Sequence, residues 1–172
     1  IDSFAYMPVQ DFGNAFSTYV AQNYGAGKEE RIRRGMKDAI LGAFLFCLLI
    51  TVIVVGFAEP LMELFIDRQS VETIAVGVGY LRIEGVFYFG IGLLFLFYGY
   101  YRAVHKPGIS VVLTVVSLGT RVVLAYILSA VPAIGVSGIW MAVPIGWALA
   151  DLTGAGYYIA ERKRRGGKLG TE

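Results

Sequence analysis

Four ionisable residues, Asp11, Glu84, Arg121 and Asp151, sit inside or at the edge of long apolar stretches, and the chemistry this sequence offers starts with them. On insertion scales a charged side chain in hydrocarbon costs roughly 2.5–3.5 kcal/mol, so each is expected to face a bundle interior or a wet cavity. There a carboxylate holds a proton, a sodium ion or a cationic solute. Asp11 has Gln10, Asn14 and Thr18 for neighbours, a set suited to a cavity wall or to hydrogen bonding between helices. Glu84 is placed near an outer interface, where it meets ions or water, and Asp11 and Glu84 are the two candidates for ion coupling. Phe87, with Tyr88 and Phe89 beside it, offers a ring for cation–π contact with substrate or, as such rings often do, for packing. Arg121 lies about 14 residues from the start of its apolar stretch and Asp151 about 14 from the start of the next. In an antiparallel pair their depths then differ by only a few Å, so mutual pairing is the structural alternative to a functional role. A reactive constellation is missing: there is one histidine, no HExxH and no paired aspartate motif, and the single cysteine, Cys47, lies within an apolar run. No enzyme, metal or cofactor is expected.

The elements that must position these groups follow from composition and charge placement. Hydrophobic residues make up 56% of the 172 and charged residues 16%, where a soluble domain carries about 25% charge. Mean hydropathy is +0.64. The run 39–58 (AILGAFLFCLLITVIVVGFA) has no charge and is about one bilayer long. Residues 80–102 end in Tyr98, Tyr100 and Tyr101, an interfacial aromatic belt, and 108–131 and 136–160 are apolar apart from Arg121 and Asp151. The first segment, 2–24, is more polar. At 100° per residue Gln10, Asp11, Asn14, Thr18 and Gln22 share roughly a third of the circle, and Val9, Phe12, Phe16, Tyr19 and Val20 fall opposite. One face suits lipid or packed neighbours and the other a wet cavity. The expected fold is an all-α polytopic transmembrane bundle of about five spans, 2–24, 38–58, 80–102, 108–131 and 136–160, forming one domain. Residues 59–79 read as an interfacial or extracellular segment with Pro60 in the first turn of a short helix.

The net charge of +2 hides an asymmetry. Lys28, Arg31, Arg33, Arg34 and Lys37 form one basic cluster, Arg102 and Lys106 beside His105 a second, and Arg162, Lys163, Arg164, Arg165 and Lys168 a third. All three fall on one side if five helices alternate, and that side is expected to be cytoplasmic. This places the chain in a cell (inner) membrane with the N-terminus outside, and the tail 161–172 and the C-terminus in the cytoplasm. It accounts for the basic residues without nucleic acid. Ile1 is not an initiator methionine and nothing precedes the first helix to carry it outward, so at least one upstream helix is expected.

Particular motifs then suggest a family. The run from Ala15 to Arg31, ending Ala21-Gln22-Asn23-Tyr24-Gly25-Ala26-Gly27, resembles the GQ-x-x-GAG helix end of the multidrug and toxic compound extrusion (MATE) transporters, with Ala21 in place of the leading glycine. Tyr80-Leu81-Arg82-Ile83 is similar to the family's YLRI helix start, and Gly99-Tyr100-Tyr101-Arg102 through Pro107 to its G-x-x-R-x-x-x-x-P finish. The resemblance implies the last five of twelve helices, most of the C-terminal lobe of a two-lobe antiporter. Such a transporter expels organic cations, drugs or other amphipathic solutes against inward H⁺ or Na⁺ by alternating access, with a missing N-terminal lobe and the lipid bilayer as partners. Gln22, Asn23, Gly25 and Gly27 would then be structural motif residues, with Arg121 and Asp151 as intramembrane structural groups. Some relatives carry an acid in the span that here reads Phe89 to Phe97, which is apolar throughout. A lipid-linked oligosaccharide flippase of the wider superfamily shares the architecture but is expected to show more intramembrane Arg and Lys than Arg121 alone. A non-catalytic membrane assembly module is the remaining alternative.

Overall fold

The structure, a computed structural model, describes residues 1–168, and side chains as far as Lys163. Arg164, Arg165 and Lys168 of the basic tail therefore have side chains outside the described residues. Seven helices and no strand occupy the described chain: α1 Asp2–Gly25, α2 Glu29–Gly56, α3 Ala58–Glu63, α4 Val71–Gly85, α5 Tyr88–Ala103, α6 Pro107–Ser129 and α7 Val136–Lys168. The protein is an all-α polytopic bundle.

The turn between α1 and α2 shows how the sequence ends a helix. Gly27 takes φ +67°, a left-handed conformation that costs a residue without a Cβ little. That turn lets the Lys28 amide donate to the Asn23 carbonyl at 2.8 Å, closing the helix end. The Asn23 side chain donates in turn to the Tyr19 carbonyl at 2.9 Å. Gly25 has open space around it and no such constraint. The α5 end repeats the device, with the Lys106 amide donating to the Tyr101 carbonyl at 2.9 Å and His105 at φ +59°. Pro107 then starts α6 in the first turn, where its missing N–H costs nothing.

α5 is the hub, touching α1, α2, α6 and α7. Its buried residues include Tyr88, Ile91, Leu94, Leu96, Phe97, Tyr100 and Tyr101. Around it α1 contributes Val9, Phe16 and Val20, α2 Ile32, Met36, Ala43 and Cys47, and α7 Trp147 and Ala150. The apolar side chains on the opposite faces of α2 and α6, such as Leu41, Leu45, Leu48, Val115, Leu118 and Val122, are exposed. For a chain whose helices satisfy their own backbone, such an apolar exterior is the surface lipid covers.

By length and apolarity α2, α6 and α7 are each able to cross a membrane, and α4 with α5 passes as one span bent by 51°. α1 does not meet the same measure, because its Gln10 to Gln22 face lowers its apolarity. Two details differ from the periodicity reading. The helix carrying the 39–58 run starts at Glu29, so the basic stretch Arg31 to Lys37 is helical. The stretch expected as a helix over 80–102 begins instead at Val71 and breaks at Val86–Phe87. The break frees the Gly85 carbonyl, which accepts the Thr51 hydroxyl at 2.6 Å. Pro144 lies inside an uninterrupted α7.

Candidate substrate face and buried carboxylates

The period of α1 divides it in part: of the apolar residues expected opposite the polar face, Val9, Phe16 and Val20 are buried, but Phe12 and Tyr19 are exposed, as are Phe4 and Met7. Val9, Gly13, Phe16 and Val20 are buried against the bundle, while Gln10, Asp11, Asn14, Thr18 and Gln22 are exposed on the other side. α1 reaches the hub closely enough for a Cβ added at Gly99 to lie 2.5 Å from the Gly13 carbonyl oxygen. Helix backbones in contact hold the angular position of the polar face.

Midway along that face stands Arg102, from the last turn of α5. Its Nη2 donates to Asn14 Oδ1 at 2.8 Å and its Nε to the Tyr98 carbonyl at 3.2 Å. Two cavities meet at Asn14 and Arg102. One, of about 460 Å³, is lined also by Ser17, Thr18, Gln22 and His105. The other, of about 340 Å³, is lined also by Gln10, Phe95, Tyr98, Ser110 and Thr114. Asp11 is exposed on the same face and lines neither. Phe87 is exposed at the α4–α5 break, about 20 Å along α5 from Arg102, so it does not join this group.

A second polar group is internal. Glu84 is 3% exposed and accepts the Tyr6 hydroxyl at 3.0 Å. Asp2 accepts the hydroxyls of Tyr80 and Tyr88, each at 2.5 Å. The Tyr6 ring stands edge-on to Tyr88 and Trp147, with centroids 5.7 and 5.9 Å away. Two carboxylates and three tyrosines thus tie α1 to α4 and α5, with Trp147 of α7 against them. Sequence reasoning found Glu84 but missed Asp2, Tyr6 and Tyr80. Part of the signal was present as spacing: Asp2 and Tyr6 on α1, and Tyr80 and Glu84 on α4, stand four residues apart on one helix face, while Tyr88 reaches the group from across the α4–α5 break.

Arg121 and Asp151 do not form an ion pair. The Arg121 guanidinium lies over the Trp147 ring, 5.3 Å from its centroid. Asp151 is 7% exposed, and its Oδ1 has no hydrogen-bond partner. Of the two alternatives, mutual pairing is therefore not realised: Trp147, one turn before Asp151 on α7, lies against the guanidinium instead. Among the described residues no group of three or more His, Cys, Asp or Glu is placed to hold a metal ion.

Similarity to known proteins agrees with this architecture. The MatE family profile matches residues 1–127. A protein named FAD transporter from Shewanella oneidensis is 28% identical over 94% of this chain and 35% of its own length. Two proteins named as probable multidrug resistance proteins also match. YoeA of Bacillus subtilis is 25% identical over 92% of this chain and 34% of its own, and NorM of Thermotoga maritima 24% over 82% and 30%. The chain therefore spans about a third of the length of these relatives. No solved structure matches it. With the helix-end motifs in order along a polytopic bundle and the profile covering residues 1–127 of 172, the chain belongs to the MatE family of membrane transporters.

Proposed function

We propose that the protein containing this chain is a secondary active antiporter that exports organic cations, drugs or other amphipathic solutes in exchange for H⁺ or Na⁺. The chain supplies five spans of one lobe, α1 among them, and a second lobe closes the transport path by alternating access. The polar face of α1 is the substrate-facing wall, with Gln10, Asp11, Asn14 and Thr18 in contact with solute. Asp11, and Glu84 in its tyrosine-lined interior, are the coupling carboxylates. The basic Lys28 to Lys37 segment and the C-terminus lie in the cytoplasm of a cell (inner) membrane, as the cost of moving such clusters across a bilayer favours.

The observation that carries this reading is the exposure of α1's polar face on the side away from the bundle. In hydrocarbon those side chains lose their water and are compensated only in part, by Arg102 on Asn14 and by the Asn14 carbonyl on the Thr18 hydroxyl, so the arrangement favours a wet path over a lipid contact. The relatives named as multidrug resistance proteins support the class of solute.

Efflux of a fluorescent lipophilic cation from cells making the intact protein tests it. Asp11→Asn or Gln10→Ala is expected to slow efflux on the order of tenfold, the loss of one charge-assisted or polar contact to solute, and more than Glu84→Gln does. Unchanged efflux in the Asp11 variant at equal membrane abundance removes that residue from the path.

A further inference from the structure

Resting on the antiport reading, we infer that Asp151 of the last helix carries a coupling proton of the exchange, beside Asp11 and Glu84, so that H⁺ is an ion this lobe moves.

Asp151 stands where a carboxylate is hardest to keep. It is 7% exposed, its Oδ1 has no hydrogen-bond partner, and it forms no ion pair among the described residues. It lies about 15 Å along α7 before Glu161, which pairs with Lys106 at the turn into α6, so it sits deep in a hydrocarbon core about 30 Å thick. A charge without a partner is costly there, and a proton on the carboxyl removes that cost. Asp2 and Glu84 each accept tyrosine hydroxyls; Asp151 accepts none.

The titratable and charged groups that neighbouring helices turn toward this part of α7 are engaged elsewhere. From α4, Tyr80 donates to Asp2, and Glu84 accepts from Tyr6 of α1. From α5, Tyr88 donates to Asp2 and Tyr101 to the Gly154 carbonyl at 2.6 Å. From α6, the Arg121 guanidinium lies over the Trp147 ring. The packing favours a proton over a metal ion. Gly90 of α5 approaches so closely that an added Cβ would lie 3.3 Å from Trp147 Cβ and 3.8 Å from Asp151 Oδ2. Hard metal cations gather about six oxygen ligands, and among the described residues no group of three or more His, Cys, Asp or Glu forms around Asp151. A proton needs one oxygen.

Both helices that meet at this point can bend beside it. α5 starts after the Val86–Phe87 break, about one turn before Gly90. Pro144, two turns before Asp151, leaves the Trp140 carbonyl of α7 without its helical donor. Bending there admits water to the carboxyl from one side at a time. The proton bound from that water leaves to water on the other side, with no other bond made or broken.

Two measurements on the intact protein test the inference. In infrared spectra of the protein in nanodiscs at neutral pH, wild type is expected to show the C=O stretch of a protonated carboxyl in dry surroundings. Asp151→Asn is expected to lose that band, and Asp151→Glu to move it. In liposomes loaded with ethidium, Asp151→Asn is expected to slow transport driven by a pH gradient about tenfold or more, while ethidium–ethidium exchange without a gradient changes less than about twofold. Asp151→Glu is expected to restore driven transport, and it decides the matter if the asparagine variant does not fold. A merely structural role lowers driven transport and exchange together, which overturns the inference. A carboxyl band that neither variant alters, or wild-type transport driven by a Na⁺ gradient and not by a pH gradient, also overturns it. Failure of wild type to move ethidium under either gradient sinks the antiport reading separately, because the infrared band reads the Asp151 proton without transport.

Discussion

Gly99→Val is expected to leave little folded protein in the membrane, whereas Gly119→Val on α6 is expected to be tolerated. A Cβ at Gly99 falls 2.5 Å from the Gly13 carbonyl oxygen, and one at Gly13 falls 2.9 Å from the Phe95 carbonyl oxygen. These obstacles are backbone atoms, which no rotamer change moves aside, so α1 must separate from α5. Overpacking of this kind costs about 1–3 kcal/mol where the surroundings adjust, and more where two helix backbones must part, against a total stability on the order of 5–15 kcal/mol. The separation also draws Asn14 away from Arg102 and rotates the polar face. Gly119 has nothing within 4 Å, so its valine variant controls for helix propensity alone. Thermal unfolding followed by size-exclusion chromatography in detergent distinguishes the two. Equal midpoints for the two variants would contradict the close α1–α5 contact.

Asp2→Ala is expected to destabilise the protein by about 2 kcal/mol, through the two tyrosine hydroxyls it strands rather than through its own charge. Tyr88 is 2% exposed, and its hydroxyl has Asp2 as its acceptor. Tyr80 uses the other oxygen of the same carboxylate. Removing one member of a buried hydrogen bond costs the desolvation of the other, while removing both by apolar replacement is nearly neutral. Asp2→Ala combined with Tyr80→Phe and Tyr88→Phe is therefore expected to recover most of the loss. A cycle of these variants, read by thermal or denaturant unfolding, measures the coupling directly. Additive losses would mean that Asp2 stabilises α1 by charge at its first turn and not through the tyrosines.

Much of the architecture was legible because lipid imposes a one-dimensional constraint. Apolar runs of bilayer length, the basic clusters between them and the Gly27 turn are all local patterns, and each appears as helix or helix end in the structure. The polar face of α1 was legible for the same reason, since a fixed angle per residue gathers Gln10, Asp11, Asn14, Thr18 and Gln22 whatever surrounds them. The break at Val86–Phe87 was not. Gly85 precedes it, but no proline marks it, and the Gly85 carbonyl it frees is satisfied by Thr51 from another helix.

The site divides along the same line. Residue type and spacing alone determined an all-α membrane bundle, the Gly27 helix end and the polar set on α1, because those depend on interactions within a few residues. The tertiary structure alone decided what the faces meet. Asn14 receives Arg102 from 88 positions away, and Asp2 receives Tyr88 from 86. Arg121 meets the Trp147 ring while Asp151 stays unpaired. Depth along a helix follows from counting residues, but the direction a side chain points depends on helix rotation. That rotation is set by contacts between distant segments, such as Gly13 against Gly99.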